Sequence, residues 1–116
     1  MPAKQLQIYG SVLKYRIKSP FLHGNLRMMG EILIKTPEQT EGIRQSCKLA
    51  GKTLEYIAGY VQAGVTTAFL DKKIEEFIRS NGAVSATLGY NGFPGSSCIS
   101  PNEVVCHGIP DRKSVV

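Results

Sequence analysis

The stretch TPEQTEGIRQSCKLAGKTLEYIAGYV, residues 36–61, decides how this chain is built. It opens with Thr36-Pro37-Glu38-Gln39, the pattern of a helix start. Thr36 can accept from the free amides of the first turn. Pro37 suits the first helical position, and Gln39 stands where the reciprocal partner of a capping box belongs. Ile43, Cys47, Ala50, Leu54, Ile57 and Val61 then follow at alternating spacings of four and three, one apolar stripe on a helix that lies against a core. Gly59 and Gly64 weaken the far end, and Gly64 is a natural stop.

Upstream, Ile32 and Ile34 alternate with Leu33 and Lys35, which suits a short extended segment. Downstream, a second helix starts at Thr66 or Thr67, with Asp71 favourably placed in its first turns and Leu70, Ile74, Phe77 and Ile78 as its buried stripe. Asn81-Gly82 ends it with residues that tolerate left-handed backbone. Ala83–Leu88 reads as a strand of small residues, Gly89–Gly95 as a turn-rich loop, and Ser97–Ser100 and Glu103–Cys106 as short strands. Gln5–Tyr15 alternates weakly and is a further strand candidate. Helices followed by short strands make the fold class α+β.

The 116 residues are at most one small domain, and the 42% hydrophobic, 20% charged composition is that of an ordinary globular chain. No apolar run approaches the roughly 18 residues of a membrane span, so no membrane partner is expected. The net charge of +5 is unevenly placed. Residues 1–30 hold Lys4, Lys14, Arg16, Lys18 and Arg27 and no acid, whereas basic and acidic residues balance over 31–116. The domain reading is therefore a flexible basic extension over 1–31 and a folded unit over 32–116. Such an arm is able to contact phosphates or to serve as an acid-poor organellar targeting segment. Its plainer reading is a solvated tail, and no specific nucleic acid is expected. Met28-Met29 is a conceivable internal start. The three cysteines, Cys47, Cys98 and Cys106, fit reduced thiols in the cytoplasm. Cys98, Cys106 and His107 lack a close cysteine pair and a fourth ligand, with His23 far upstream, so their spacing argues against zinc.

The block from Gly89 to Pro110 is where chemistry is to be sought. Its four glycines and three prolines define turns that a linker has no need of. Tyr90 and Phe93, followed by His107 beside Gly108, suit an apolar pocket with one polar group at its mouth. The same residues equally suit an aromatic cover for the core edge and a histidine bonded to backbone.

Several pieces of this chain resemble the N-terminal part of type I (bacterial-type) methionine aminopeptidases. They are Ile34-Lys35-Thr36-Pro37-Glu38, Tyr60-Val61, Gly64-Val65-Thr66-Thr67, Leu70-Asp71 and, most specific, the uninterrupted Asn102-Glu103-Val104-Val105-Cys106-His107-Gly108-Ile109-Pro110. The resemblance implies the N-terminal half of a pita-bread (creatinase/aminopeptidase-like) fold, with two helices and short antiparallel strands. It implies a hydrolase that removes the initiator methionine from nascent polypeptides, with the ribosome as a further partner. Through matching positions it makes His107 the catalytic pocket histidine and Tyr90, Phe93, Cys98 and Thr87 the lining for the methionine side chain, where a thioether meets aromatic and sulfur groups. Thr87 stands where some relatives have Cys, and Asn91 where some have His. The family's two divalent metals (Co, Mn, Fe or Zn) are held by two Asp, one His and two Glu that follow the His-Gly-Ile-Pro motif. Here only Asp111 and Arg112–Val116 follow it. Glu103, Asp111 and His107 are too few to replace an array of about five converging ligands. The expectation is an aminopeptidase by family whose isolated 116-residue chain is inactive. The alternative is a non-catalytic module that binds nascent chains or the ribosome.

Overall fold

The computed structural model describes residues 6–9, 13–14 and 34–116, with side chains for the last of these. The elements are β1 (Leu6–Tyr9), β2 (Leu13–Lys14), α1 (Pro37–Ala58), α2 (Thr67–Ser80), β3 (Val84–Ser85) and β4 (Cys98–Pro101). β1 pairs antiparallel with β4, Leu6 opposite Pro101 and Tyr9 opposite Cys98. β2 pairs antiparallel with β3, Leu13 opposite Ser85. Two helices and short antiparallel strand pairs agree with the α+β reading. Arg16, Lys18, His23, Arg27, Met28-Met29 and Ile32-Leu33 lie outside the described residues, as does the proposed boundary between a basic extension and a folded unit.

α1 begins as the sequence dictates. Thr36 Oγ1 accepts from Gln39 N–H, and Gln39 Oε1 accepts from Thr36 N–H at 3.0 Å, a complete capping box with Pro37 inside it. Of the expected stripe, Ala50, Ile57 and Val61 pack on the core. Ile43 and Leu54 are 51% and 41% exposed, and Cys47 is exposed too. Leu49 and Thr53 complete the inward face in their place. The cause is that the core meets the C-terminal half of α1 along one edge of its apolar face. Thr53 is tolerated there because its hydroxyl donates to the Leu49 carbonyl at 2.8 Å, leaving a methyl to pack. The helix also ends at Ala58, capped by right-handed Gly59, and not at Gly64. Gly64, with φ +88°, instead turns the chain towards α2.

α2 follows its pattern closely. Thr66 caps it by accepting from Phe69 N–H at 3.2 Å, and Leu70, Ile74 and Ile78 are buried. Phe77 is half-buried and stacks on Tyr56, ring centroids 4.4 Å apart, so the two helices meet through rings as well as aliphatics. Of the closing pair, Gly82 takes the left-handed φ of +73°, while Asn81 keeps φ −92°. The core is Ile57, Leu70, Ile74, Ile78, Ala83 and Ile99, with Leu49, Ala50, Tyr60, Val61, Val65 and Val116 packed on it. Each of Ile57, Leu70, Ile74, Ile78 and Ile99, at 2% exposure or less, contributes about 1.5–3 kcal/mol.

Two strand expectations shrink. The strand over Ala83–Leu88 survives only as Val84–Ser85. That over Glu103–Cys106 does not form, because Asn102 turns left-handed at φ +53° and Val104 N–H donates back to the Pro101 carbonyl.

The free end of α2 is closed by chain. Thr67 and Ala68 N–H donate to the carbonyls of Ser114 (2.9 Å) and Asp111 (2.8 Å), and Gly64 N–H to that of Val116 (3.0 Å). The orphan amides of a helix start are thereby satisfied by the segment 111–116. None of the described helices is long and apolar enough to cross a membrane.

Candidate substrate pocket

The loop from Gly89 to Ser97 is held by short polar ties. Gly89, at φ +79°, enters a single 3₁₀ turn over Tyr90–Gly92, in which Asn91 is left-handed at φ +47°. Gly89 N–H donates to the Phe93 carbonyl at 2.9 Å and closes the loop on itself. Thr87 Oγ1 shares its single proton between Ser85 Oγ at 2.9 Å and the Gly95 carbonyl at 3.3 Å. Ser85 Oγ donates to the Ser96 carbonyl. Gly95 is required by space: a Cβ would fall 2.9 Å from Pro110 Cδ and 3.2 Å from Phe93 Cε1. Phe93 and Pro110 thus close over one glycine, which joins the aromatic loop to the end of the His-Gly-Ile-Pro run.

β4 is anchored to α2 by Asp71. Oδ2 accepts from Ser96 N–H at 3.2 Å, and Oδ1 accepts from Ser97 N–H at 2.7 Å and from Ser97 Oγ at 2.6 Å. The sequence pattern assigns Asp71 to the helix dipole, and the structure gives it another task. It lies past the first turn, which contains no acidic residue, and its carboxylate is spent on residues 25 and 26 positions away. Cys98, 7% exposed, follows at once. Burial, then the nearby Asp71 charge, then Cys106, push its thiol above the ordinary range.

Beside β4 runs the segment carrying His107. Ile99 N–H donates to the Gly108 carbonyl at 3.0 Å, and Gly108 N–H donates to Ser100 Oγ at 3.2 Å. Gly108 lies so close to β4 that a Cβ would strike the Ile99 carbonyl oxygen. His107 itself is exposed and left-handed, φ +52°, a conformation that persists in a non-glycine residue only where its surroundings impose it. Asp111 ends the segment: its N–H donates to Thr67 Oγ1 at 2.9 Å, and Thr67 Oγ1 donates to the Asp111 carbonyl at 3.1 Å. Backbone donors at Ser114, first, and Lys113 hold the Asp111 carboxyl below the usual range.

The five candidate residues are therefore placed unequally. Cys98 and His107 stand on two segments tied by the Ile99–Gly108 hydrogen bond, Cys98 buried and His107 exposed, while Phe93 lies against Gly95. Thr87 is half-buried, its hydroxyl bonded within the loop scaffold. Tyr90 is 66% exposed. The bonds from Asp71 to Ser96 and Ser97 and from Thr67 to Asp111 escaped the sequence reading, since nothing local marks a helix residue as the partner of a loop 26 or 44 positions on.

With that geometry in view, likeness to known proteins decides the kinship. Residues 41–116 match the metallopeptidase family M24. The chain belongs to that family. Within it, the chain is a homologue of the type I methionine aminopeptidases. It is 47% identical over 89 residues to methionine aminopeptidase A of Synechocystis sp., covering 76% of this chain and 35% of that protein. Against the methionine aminopeptidase of Escherichia coli K12 it is 54% identical over 81 residues, 69% of this chain and 31% of the relative. The crystal structure of methionine aminopeptidase from Rickettsia prowazekii superposes with a TM-score of 0.70 at 44% identity, over 73% of this chain and 34% of that one. The chain spans about a third of the length of the curated relatives it matches. M24 members are metallopeptidases of the pita-bread fold, and that metal requirement belongs to the full-length enzymes. The donor set here does not fit a metal pair. Among the described residues no three His, Cys, Asp or Glu side chains are grouped to hold an ion.

Proposed function

We propose that this chain carries the methionine-side wall and the pocket histidine of a metal-dependent methionine aminopeptidase acting on the N-termini of nascent proteins. The observation that carries the reading is the His107-Gly108 turn docked on β4 beside the buried Cys98, in a chain about half identical to methionine aminopeptidases. Cys98 and Phe93 would offer sulfur and an aromatic edge to a thioether, with exposed Tyr90 as a further lining ring. Thr87 sets the loop that presents them. His107, at the open side, exchanges a hydrogen bond with the substrate near the scissile amide. In full-length members of the family, two divalent ions (Co, Mn, Fe or Zn) would supply the activation of water, and the described residues hold no group able to bind them.

Activity is accordingly not expected of the 116 residues alone, and the cytoplasm is the expected site of action. The experiment is twofold. Titration with methioninamide should shift nuclear magnetic resonances of Phe93, Tyr90, Cys98 and His107 and spare those of α1. Incubation of Met-Ala-Ser with cobalt or manganese should release no methionine. Shifts confined elsewhere would remove the pocket, and metal-dependent turnover would overturn the placement of the ligands.

The five cations without an acid in residues 1–30 favour a second reading, a non-catalytic nascent-chain or ribosome-binding module. Ribosome pelleting that survives deletion of residues 1–30 would defeat the basic arm as its means of attachment.

A further inference from the structure

Thr67 and Asp71 stand one turn apart on α2 and so share one of its faces. Asp71 grips Ser96 and Ser97, and Thr67 grips both backbone groups of Asp111. The chain between those grips contains Cys98, Cys106 and His107. From residue 102 to 110 it forms no helix or strand of its own, and it passes through two left-handed non-glycine residues, Asn102 and His107. Past the turn bond from Val104 N–H to the Pro101 carbonyl, its backbone takes hydrogen bonds from β4 and α2. It must be held from outside.

We propose that Thr67 and Asp71 are positioning residues for the pocket wall. Asp71 sets β4, and with it Cys98 and, through the Ile99–Gly108 bond, the His107 imidazole. Thr67 fixes the downstream end. The inference rests on the pocket reading of Cys98 and His107 given above. The chemistry of the upstream grip is specific. Two successive backbone donors go to two different oxygens of one carboxylate, and charge strengthens both bonds. An asparagine offers one oxygen, so its amide would face the other N–H, donor against donor. The downstream grip needs a hydroxyl that gives and accepts at once. Serine retains that and valine does not. Thr67 is 1% exposed, so neither bond is readily replaced by water.

The test uses the whole 116-residue chain with Asp71→Asn, Thr67→Val and, as the conservative control, Thr67→Ser. Amide exchange at Ile99 and Gly108, the ring resonances of His107, and the alkylation rate of Cys98 relative to exposed Cys47 are read in each. Asp71→Asn is expected to raise Gly108 exchange and Cys98 alkylation about tenfold or more, equivalent to about 1.4 kcal/mol of lost local protection. The His107 signals should move, while exchange at Tyr56 and Ile57 stays within about twofold. Thr67→Val should loosen Gly108 and His107, and Thr67→Ser should restore them. Unchanged Gly108 exchange in both disruptive variants overturns the proposal. A uniform rise that includes α1 does so too, because it shows general stabilisation and no aim at the wall. Absence of methioninamide shifts in the unaltered chain defeats the pocket reading instead, whatever the exchange rates show.

Discussion

Replacing Gly108 by alanine probes the contact on which the placement of His107 depends. The added Cβ would run into the Ile99 carbonyl oxygen and carbon and come within 3.1 Å of Ser100 Cα, all of them backbone and none able to swing aside. Relief requires the segment to lift from β4. That lengthens the bonds from Ile99 N–H to the Gly108 carbonyl and from Gly108 N–H to Ser100 Oγ. Overpacking against rigid backbone costs about 1–3 kcal/mol, and the two hydrogen bonds add about 1 kcal/mol each. A loss of about 3 kcal/mol or more is expected, a large share of the roughly 5–15 kcal/mol that holds a domain together. Urea unfolding followed by circular dichroism reads it directly. With a slope near 1 kcal/mol per molar, typical of small chains, the midpoint should fall by about 3 M or more. The matched control is Gly51→Ala, mid-helix in α1, where a Cβ meets nothing within 4 Å. There alanine should stabilise by about 0.5–1 kcal/mol by removing glycine's entropy penalty. A Gly108→Ala midpoint indistinguishable from that of the parent would refute the close docking, and with it the imposed geometry of His107.

Thr36→Ala removes one half of the capping box and should lower stability by about 1 kcal/mol, with early loss of amide protection at Gln39. Buried Cys98 should react with iodoacetamide more slowly at pH 8 than Cys47 and Cys106, as peptide-level mass spectrometry would show; equal rates would contradict its burial. Because folding raises the affinity of that thiol for its proton, its contribution is present below the ordinary thiol range. It is lost as pH climbs through the raised value, so the urea midpoint should decline on the alkaline side and decline less in Cys98→Ala. Ile43→Lys and Leu54→Lys, on the exposed side of α1, should change stability by no more than about 0.5 kcal/mol while raising solubility, measured as the concentration at which light scattering begins.

What the sequence disclosed followed the range of its signals. The start of α1 and nearly all of α2 rest on capping and periodicity, interactions within four residues, and both are where the pattern put them. The buried edge of α1 was misplaced because Thr53 hides a hydroxyl by bonding within its own helix, which a hydrophobic stripe does not register. The strand expected over Glu103–Cys106 has the composition of one, yet Asn102 turns the chain before pairing can begin. At the candidate pocket, Cys98 and His107 are singled out by family resemblance, and the close docking of Gly108 on β4 is visible only in the folded chain. So is the tie from the Asp71 carboxylate. Asp71 and Ser97 are joined across 26 residues, and only the folded chain makes them neighbours.

The same separation sets an order of assembly. α1 and α2 are consecutive and joined by eight residues, so their docking closes a short loop. The Thr67–Asp111 contact closes one of 44 residues. Longer closures carry a larger entropy and come later in folding. The helical pair is therefore expected to be in place while the histidine segment is still searching. On a ribosome, a chain not yet synthesised through residue 111 would hold its helices without an oriented imidazole.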